Sequence, residues 1–158
     1  MGAAKSQYRR RSGSRFQGRF VGIPVDVLES NAYLGLSHPA KALLLDIALQ
    51  YKGDNNGRLL TSLKFMEPRG WRSADVLNRA KQQLQDSKLI YQTVQGHRPN
   101  KASWYAITWH ALDDNDRYDF GASNGFRRGA YRDLKINGLS PSCGIVKPLI
   151  APSASKSA

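Results

Sequence analysis

Two stretches of this chain repeat apolar residues at helical spacing, and what lies between and after them limits how they can pack. Ala40, Leu43, Leu44, Ile47, Ala48 and Tyr51 form the first stripe, behind Ser37 as N-cap and with His38 and Pro39 in the first turn. Val76, Leu77, Ala80 and Leu84 form the second, on a helix capped by Ser73 and running from Ala74 to about Ser87. Between the two, Asp54-Asn55-Asn56-Gly57 is a turn cluster and Arg58-Leu59-Leu60 a very short strand. Leu63, Phe65 and Met66 then lie on a short helix capped by Thr61 or Ser62 and ended by Pro68-Arg69-Gly70. After the second stripe, Leu89 to Gln95 reads as a strand carrying Ile90, Tyr91, Thr93 and Val94. Gly96-His97-Arg98-Pro99-Asn100-Lys101 is a polar loop, and Trp104 to Trp109 a returning strand. Ahead of all this, Val25, Leu28 and Tyr33 suggest one short helix after Pro24. The expected class is α+β: helices with a small antiparallel hairpin, on about residues 20–112.

The two ends lack that periodicity. Residues 1–19 are rich in Arg, Ser, Gly and Gln and are expected to be a disordered basic arm. Residues 113–158 open on Asp113, Asp114, Asp116 and Asp119, then run through Gly, Ser, Asn and Pro to a Ser/Ala-rich end. That composition predicts a linker and flexible tail, with only a weak helix or strand signal around Ala130–Ile136. Lys and Arg outnumber Asp and Glu by 24 to 12, a net charge of +12. Half of that excess is Lys5, Arg9, Arg10, Arg11, Arg15 and Arg19, with no acid among them. A balance this positive points to a polyanion, most often nucleic acid; on charge alone an anionic membrane surface or ribosomal RNA stays open.

Other signals exclude more than they suggest. No run approaches the roughly 18 apolar residues of a membrane span, and no apolar run follows the basic N-terminus as a secretory signal requires. Cys143 stands alone and cannot form an internal disulfide, so a cytoplasmic location, with no membrane partner, is the simplest reading. Met1 to Ser6 fits a myristoylation pattern that short sequences match easily by chance. Asp114-Asn115-Asp116 begins like a calcium loop, but Asp119 and Gly125 stand where such a loop needs Gly and Glu. His38, His97 and His110 have no metal-ligand spacing, and no phosphate loop, nucleophile or acid–base pair is framed. The chain is expected to be non-enzymatic, with no cofactor and no metal.

The order helix, helix, strand, helix, helix, strand, loop, strand resembles the winged helix-turn-helix. Three segments carry the resemblance: LSHPAKALLLDIALQY followed by NNGRLLTS, the turn Gly70-Trp71-Arg72-Ser73 leading into an amphipathic helix, and the hairpin LIYQTVQGHRPNKASWYAITW with its basic tip. Together they are similar to winged-helix proteins of phages, plasmids and integrative elements, replication initiators and small regulators among them. The resemblance implies double-stranded DNA as partner, in transcription regulation or replication initiation of a mobile element in the bacterial cytoplasm or nucleoid. It leaves open a homodimer on a palindromic site and a host or replication protein as further partner. A winged-helix protein–protein module, such as a phage-encoded inhibitor of a host defence complex, and an RNA-binding protein are the competing readings.

The resemblance makes the helix at 73–87 the recognition helix, and its chemistry agrees. Opposite the apolar stripe it carries Asp75, Asn78, Arg79, Gln82 and Gln83. Asn, Gln and Arg can pair bidentately with adenine or guanine edges in a major groove. Arg72 and Ser73 stand at its start, where backbone N–H groups favour a phosphate. His97, Arg98 and Lys101 at the hairpin tip, and Arg9, Arg10 and Arg11 on the arm, are the further expected DNA contacts. Trp104 and Trp109 are expected on opposite faces of a strand with one in the core, and Trp71 is read as a core plug.

Overall fold

The computed structural model describes residues 18–97 and 101–134. Within them, helix α1 (Val25–Leu28) and helix α2 (Asn31–Leu34) precede the longer α3 (His38–Ala48). Strand β1 (Leu59–Leu60), helix α4 (Leu63–Met66) with a 3₁₀ turn at Glu67–Arg69, and helix α5 (Ala74–Asp86) follow. Strands β2 (Ile90–Val94) and β3 (Trp104–Ile107) come next, then helix α6 (Ala122–Gly125) and a 3₁₀ turn at Ala130–Asp133.

The core forms where the two expected helical stripes meet. Ala40, Leu43, Leu44 and Ile47 of α3 and Leu77, Ala80 and Leu84 of α5 are buried in one cluster with Val27, Leu59, Met66, Leu89, Tyr105 and Ile107. The sheet is antiparallel with strand order β1-β3-β2. Leu59 faces Tyr105 and Ile90 faces Ile107, and a bulge at Thr93 shifts the register between Gln92 and Val94. Single-strand periodicity misses that bulge, which is a property of the pair of strands.

The expected single helix after Pro24 is two single turns. Ser30 divides them: its hydroxyl donates to the Val27 carbonyl (2.6 Å) and accepts from the Tyr33 N–H (3.2 Å). The inward residue of the first turn is Val27, fully buried, whereas Val25 is 63% exposed.

The largest departure from expectation lies after residue 112. The expected linker is part of the folded unit as far as Leu134. Tyr131 is a buried member of the core, and α6 packs on β2, with Phe126 edge-on to Tyr91 at 5.7 Å between ring centroids. This segment covers the sheet face that a free hairpin would leave in water. Ala106 alternates with the core residues Tyr105 and Ile107, so it points the other way, yet it too is fully buried. Acidic residues of the expected linker are hydrogen-bonding partners here. An Asp113 carboxylate oxygen accepts from the Asn56 N–H (2.6 Å), and the Tyr118 hydroxyl donates to carbonyls of Asn56 (3.1 Å) or Asp113 (2.8 Å). Gly57, at φ 111°, lies directly under that hydroxyl, where a side chain would collide with it. Trp109 is buried and Trp104 half-buried, as expected in outcome, but Trp109 lies beyond the end of β3, so strand alternation is not the cause.

Candidate nucleic-acid interface

The exposed face of α5 is held in place from the turn that precedes it. Gly70, at φ 95°, closes the 3₁₀ turn in a left-handed conformation and sends the chain back toward α3. There Asp46 receives two donors, Arg69 Nε at 2.6 Å on one carboxylate oxygen and Trp71 Nε1 at 2.7 Å on the other. Trp71 also packs against the core, in line with its expected plug role. Ser73 caps α5 by accepting from the Val76 N–H at 3.4 Å. Val76 is half-buried, while Leu77, Ala80 and Leu84 are buried against α3 and its neighbours, which leaves Arg72, Asp75, Asn78, Arg79, Gln82 and Gln83 exposed together.

The six expected α5 positions differ in what they already touch. Arg79 pairs with Asp75 at 2.6 Å, with both side chains largely exposed. Asn78 accepts from Lys81 Nζ (2.9 Å), and Gln82 donates to Asp86 (2.9 Å). Burial lowers the Lys81 pKa from its usual value. Gln83 is bound differently: its amide oxygen accepts from both the N–H (3.1 Å) and the hydroxyl (2.8 Å) of Ser37, the residue that starts α3. Gln83 thereby ties α5 to α3, and Ser37, expected to cap its own helix through its side chain, turns it across to α5 instead. Arg72, Asn78, Arg79 and Gln82 keep only exposed, local contacts that a ligand could replace at little cost.

At the hairpin tip, His97 and Lys101 exchange backbone hydrogen bonds of 2.9 and 3.0 Å as an isolated bridge. Gly96 is required beside them, since a side chain there would run into the backbone of Lys101 and Ser103. Lys101 Nζ lies 3.5 Å from Asp119, whose other carboxylate oxygen accepts from the Gln95 N–H. The basic tip is thus partly neutralised by the segment packed beneath it. Arg98, Arg9, Arg10 and Arg11 lie outside the described residues.

Two positioning residues have no counterpart in the sequence reading. Asp46 is the lone acid in the apolar run 38–49, and an acid inside such a run is the signal that could have flagged it. Asn56 is fully buried, whereas its sequence context signals only a turn. Among the described residues no group of three or more His, Cys, Asp or Glu could hold a metal ion, and no helix is long and apolar enough to cross a membrane. No family model, curated protein or solved structure matches the chain.

Proposed function

We propose that the chain is a sequence-specific double-stranded DNA-binding protein with winged-helix architecture, acting in transcription regulation or replication initiation of a mobile element. The observation that carries this reading is the exposed face of α5. Asn78, Arg79 and Gln82, all able to contact DNA, share it with Arg72 exposed just before the helix, and hydrogen bonds from Asp46 at its approach and Gln83 near its end tie the helix to α3. The strand order β1-β3-β2, with α4 and α5 between β1 and β2, is compatible with that architecture. In this reading Asn78 and Arg79 exchange their intrahelical partners for base edges, while Arg72 and the start of α5 meet a phosphate. The net charge of +12 supplies the sequence-independent attraction.

The test is selection of binding sites from random duplexes, followed by titration of selected and scrambled DNA. The expected preference is about 10³-fold or more, in the range of specific DNA-binding proteins. Asn78→Ala and Arg79→Ala should each cost about 1–3 kcal/mol on the selected site and little on scrambled duplex. Unchanged selected-to-scrambled ratios in both variants would rule out α5 as the reading element and favour a protein-interaction module.

A further inference from the structure

A cleft of about 740 Å³ opens between the end of α3, the residues after β3 and the chain entering at Gly18. That volume falls within the range of small-ligand sites. No residue of α5 or of the hairpin tip lines it, so it is separate from the face assigned to duplex DNA. Its wall holds a stacked aromatic pair, Tyr51 and His110, with ring centroids 4.4 Å apart and planes 23° from parallel. Leu49 is apolar lining on the α3 side. Phe20, also in the lining, is 84% exposed, a large apolar ring that covers almost nothing in this state. The charged side chains of the lining are Arg19 and Lys52, and no carboxylate lines the cleft.

These features together select a ligand. An apolar floor with an aromatic wall takes a flat ring, since nucleobases stack on aromatic side chains whatever their sequence. Two cations in a lining that holds no carboxylate take an attached anion. We propose that this cleft binds a single nucleotide, its base against the Tyr51–His110 wall and its phosphate at Arg19 and Lys52, with Phe20 closing over the base. The nucleotide is either free in solution or an unpaired nucleotide of a DNA strand, and the chemistry required of the cleft is the same for both. Burial, and to a lesser extent the Arg128 charge, lower the His110 pKa against the opposing charge of Asp113, and the net shift favours the uncharged ring that a stack against a neutral base can use.

The experiment titrates the full chain with adenosine 5′-monophosphate, adenosine, inorganic phosphate and a five-nucleotide single-stranded oligodeoxyadenylate, by calorimetry and by amide and side-chain chemical shifts. Adenosine 5′-monophosphate should saturate with Kd on the order of 10–1,000 μM, as its size allows. Adenosine and phosphate should each bind at least about tenfold more weakly. Shifts should centre on Tyr51, Lys52 and His110. Arg19→Gln combined with Lys52→Gln removes exposed charges and should weaken the nucleotide at least about tenfold, while Asn78→Ala leaves it unchanged. If the oligonucleotide binds more tightly than the mononucleotide and loses that advantage in Tyr51→Leu, the source is a strand; equal affinity assigns a free nucleotide. Absence of saturation by both nucleotide and oligonucleotide, or affinity that survives the double substitution, overturns the proposal. Because the readout does not involve duplex DNA, it can fail while the α5 reading stands, and the reverse.

Discussion

An asparagine with no exposed surface must satisfy a carbonyl and an amide inside the protein, and Asn56 does so 51 residues along the chain. Its side-chain oxygen accepts from the Ile107 N–H at 2.8 Å, and its amide donates to the carbonyls of Ile107 (3.0 Å) and Ala111 (2.7 Å). It therefore takes the place of a strand partner at the end of β3. Asn56→Ala would strand three backbone groups in a dry site, and the expected loss is about 2–4 kcal/mol in urea unfolding. A loss under about 0.5 kcal/mol would mean that water reaches those groups. His110 gives a second prediction, with its sign fixed by its surroundings. Burial lowers its pKa from 6.5, Arg128 lowers it further, and Asp113 opposes both. Tyr51 stacks on one side of the ring and Trp109 tilts against it at 6.3 Å. The folded protein therefore binds this proton less readily than the unfolded chain does. Above pH 6.5 both states are neutral; as the pH falls below that value the unfolded state is favoured, until the folded pKa is passed. The wild type should lose more stability than His110→Gln between pH 7 and pH 5, in thermal melts of both proteins. Parallel curves would show that the ring is solvated in the folded state.

At the scale of elements, Asp46 does for α5 what Asn56 does for β3. It joins the last turn of α3 to Arg69 and to the indole of Trp71, so the angle at which α5 leaves its turn depends on one carboxylate. Asp46→Ala leaves the Trp71 N–H without its acceptor and should cost about 1–3 kcal/mol of stability. On the DNA-binding reading it should also reduce discrimination between selected and scrambled duplex, since base contacts depend on where the helix lies. Asp46→Asn can still accept from one donor and should recover most of the stability, which separates loss of placement from loss of fold. Much of this level was legible in the sequence. Both long helices fall where apolar spacing places them, because each stripe is long enough to make a period visible, and the three strands and α4 fall between the turn residues that bound them. What escaped has no period to show. Tyr131 is one aromatic in a Gly- and Arg-rich stretch, and composition there argues for a tail; only the fold, which brings its turn back against α2, gives it a core to join. Gln83 looked like its neighbours Asn78 and Gln82, and its tie to Ser37, 46 residues away, is set by how α3 crosses α5. Polarity marks a helix face as exposed, but it does not tell which of its members already holds a partner.

For the whole molecule the question is where the positive charge is free to act. Five cations of the described residues already face a carboxylate: Arg69 with Asp46, Arg79 with Asp75, Lys101 with Asp119, Arg127 with Asp133 and Arg132 with Asp26. The first 19 residues carry six bases and no acid to pair with them locally. If duplex DNA is the partner, base discrimination and phosphate attraction should therefore reside in different parts of the chain. Each phosphate neutralised contributes about −0.9 to the slope of log K against log salt, so replacing Arg9, Arg10 and Arg11 with Gln should flatten that slope by up to about 3. The change should be the same on selected and scrambled duplex, since phosphates carry no sequence. Asn78→Ala should do the opposite, lowering affinity for the selected site while leaving the slope alone. Titrations of the wild type and both variants against both duplexes, at four salt concentrations, measure the two quantities independently. A slope unmoved by the triple substitution would place the phosphate contacts on the folded unit, with Arg72 and the start of α5 as the first residues to change. A selected-to-scrambled ratio that falls with the triple substitution would instead mean that the arm reads sequence, as an arm lying in a narrow minor groove does.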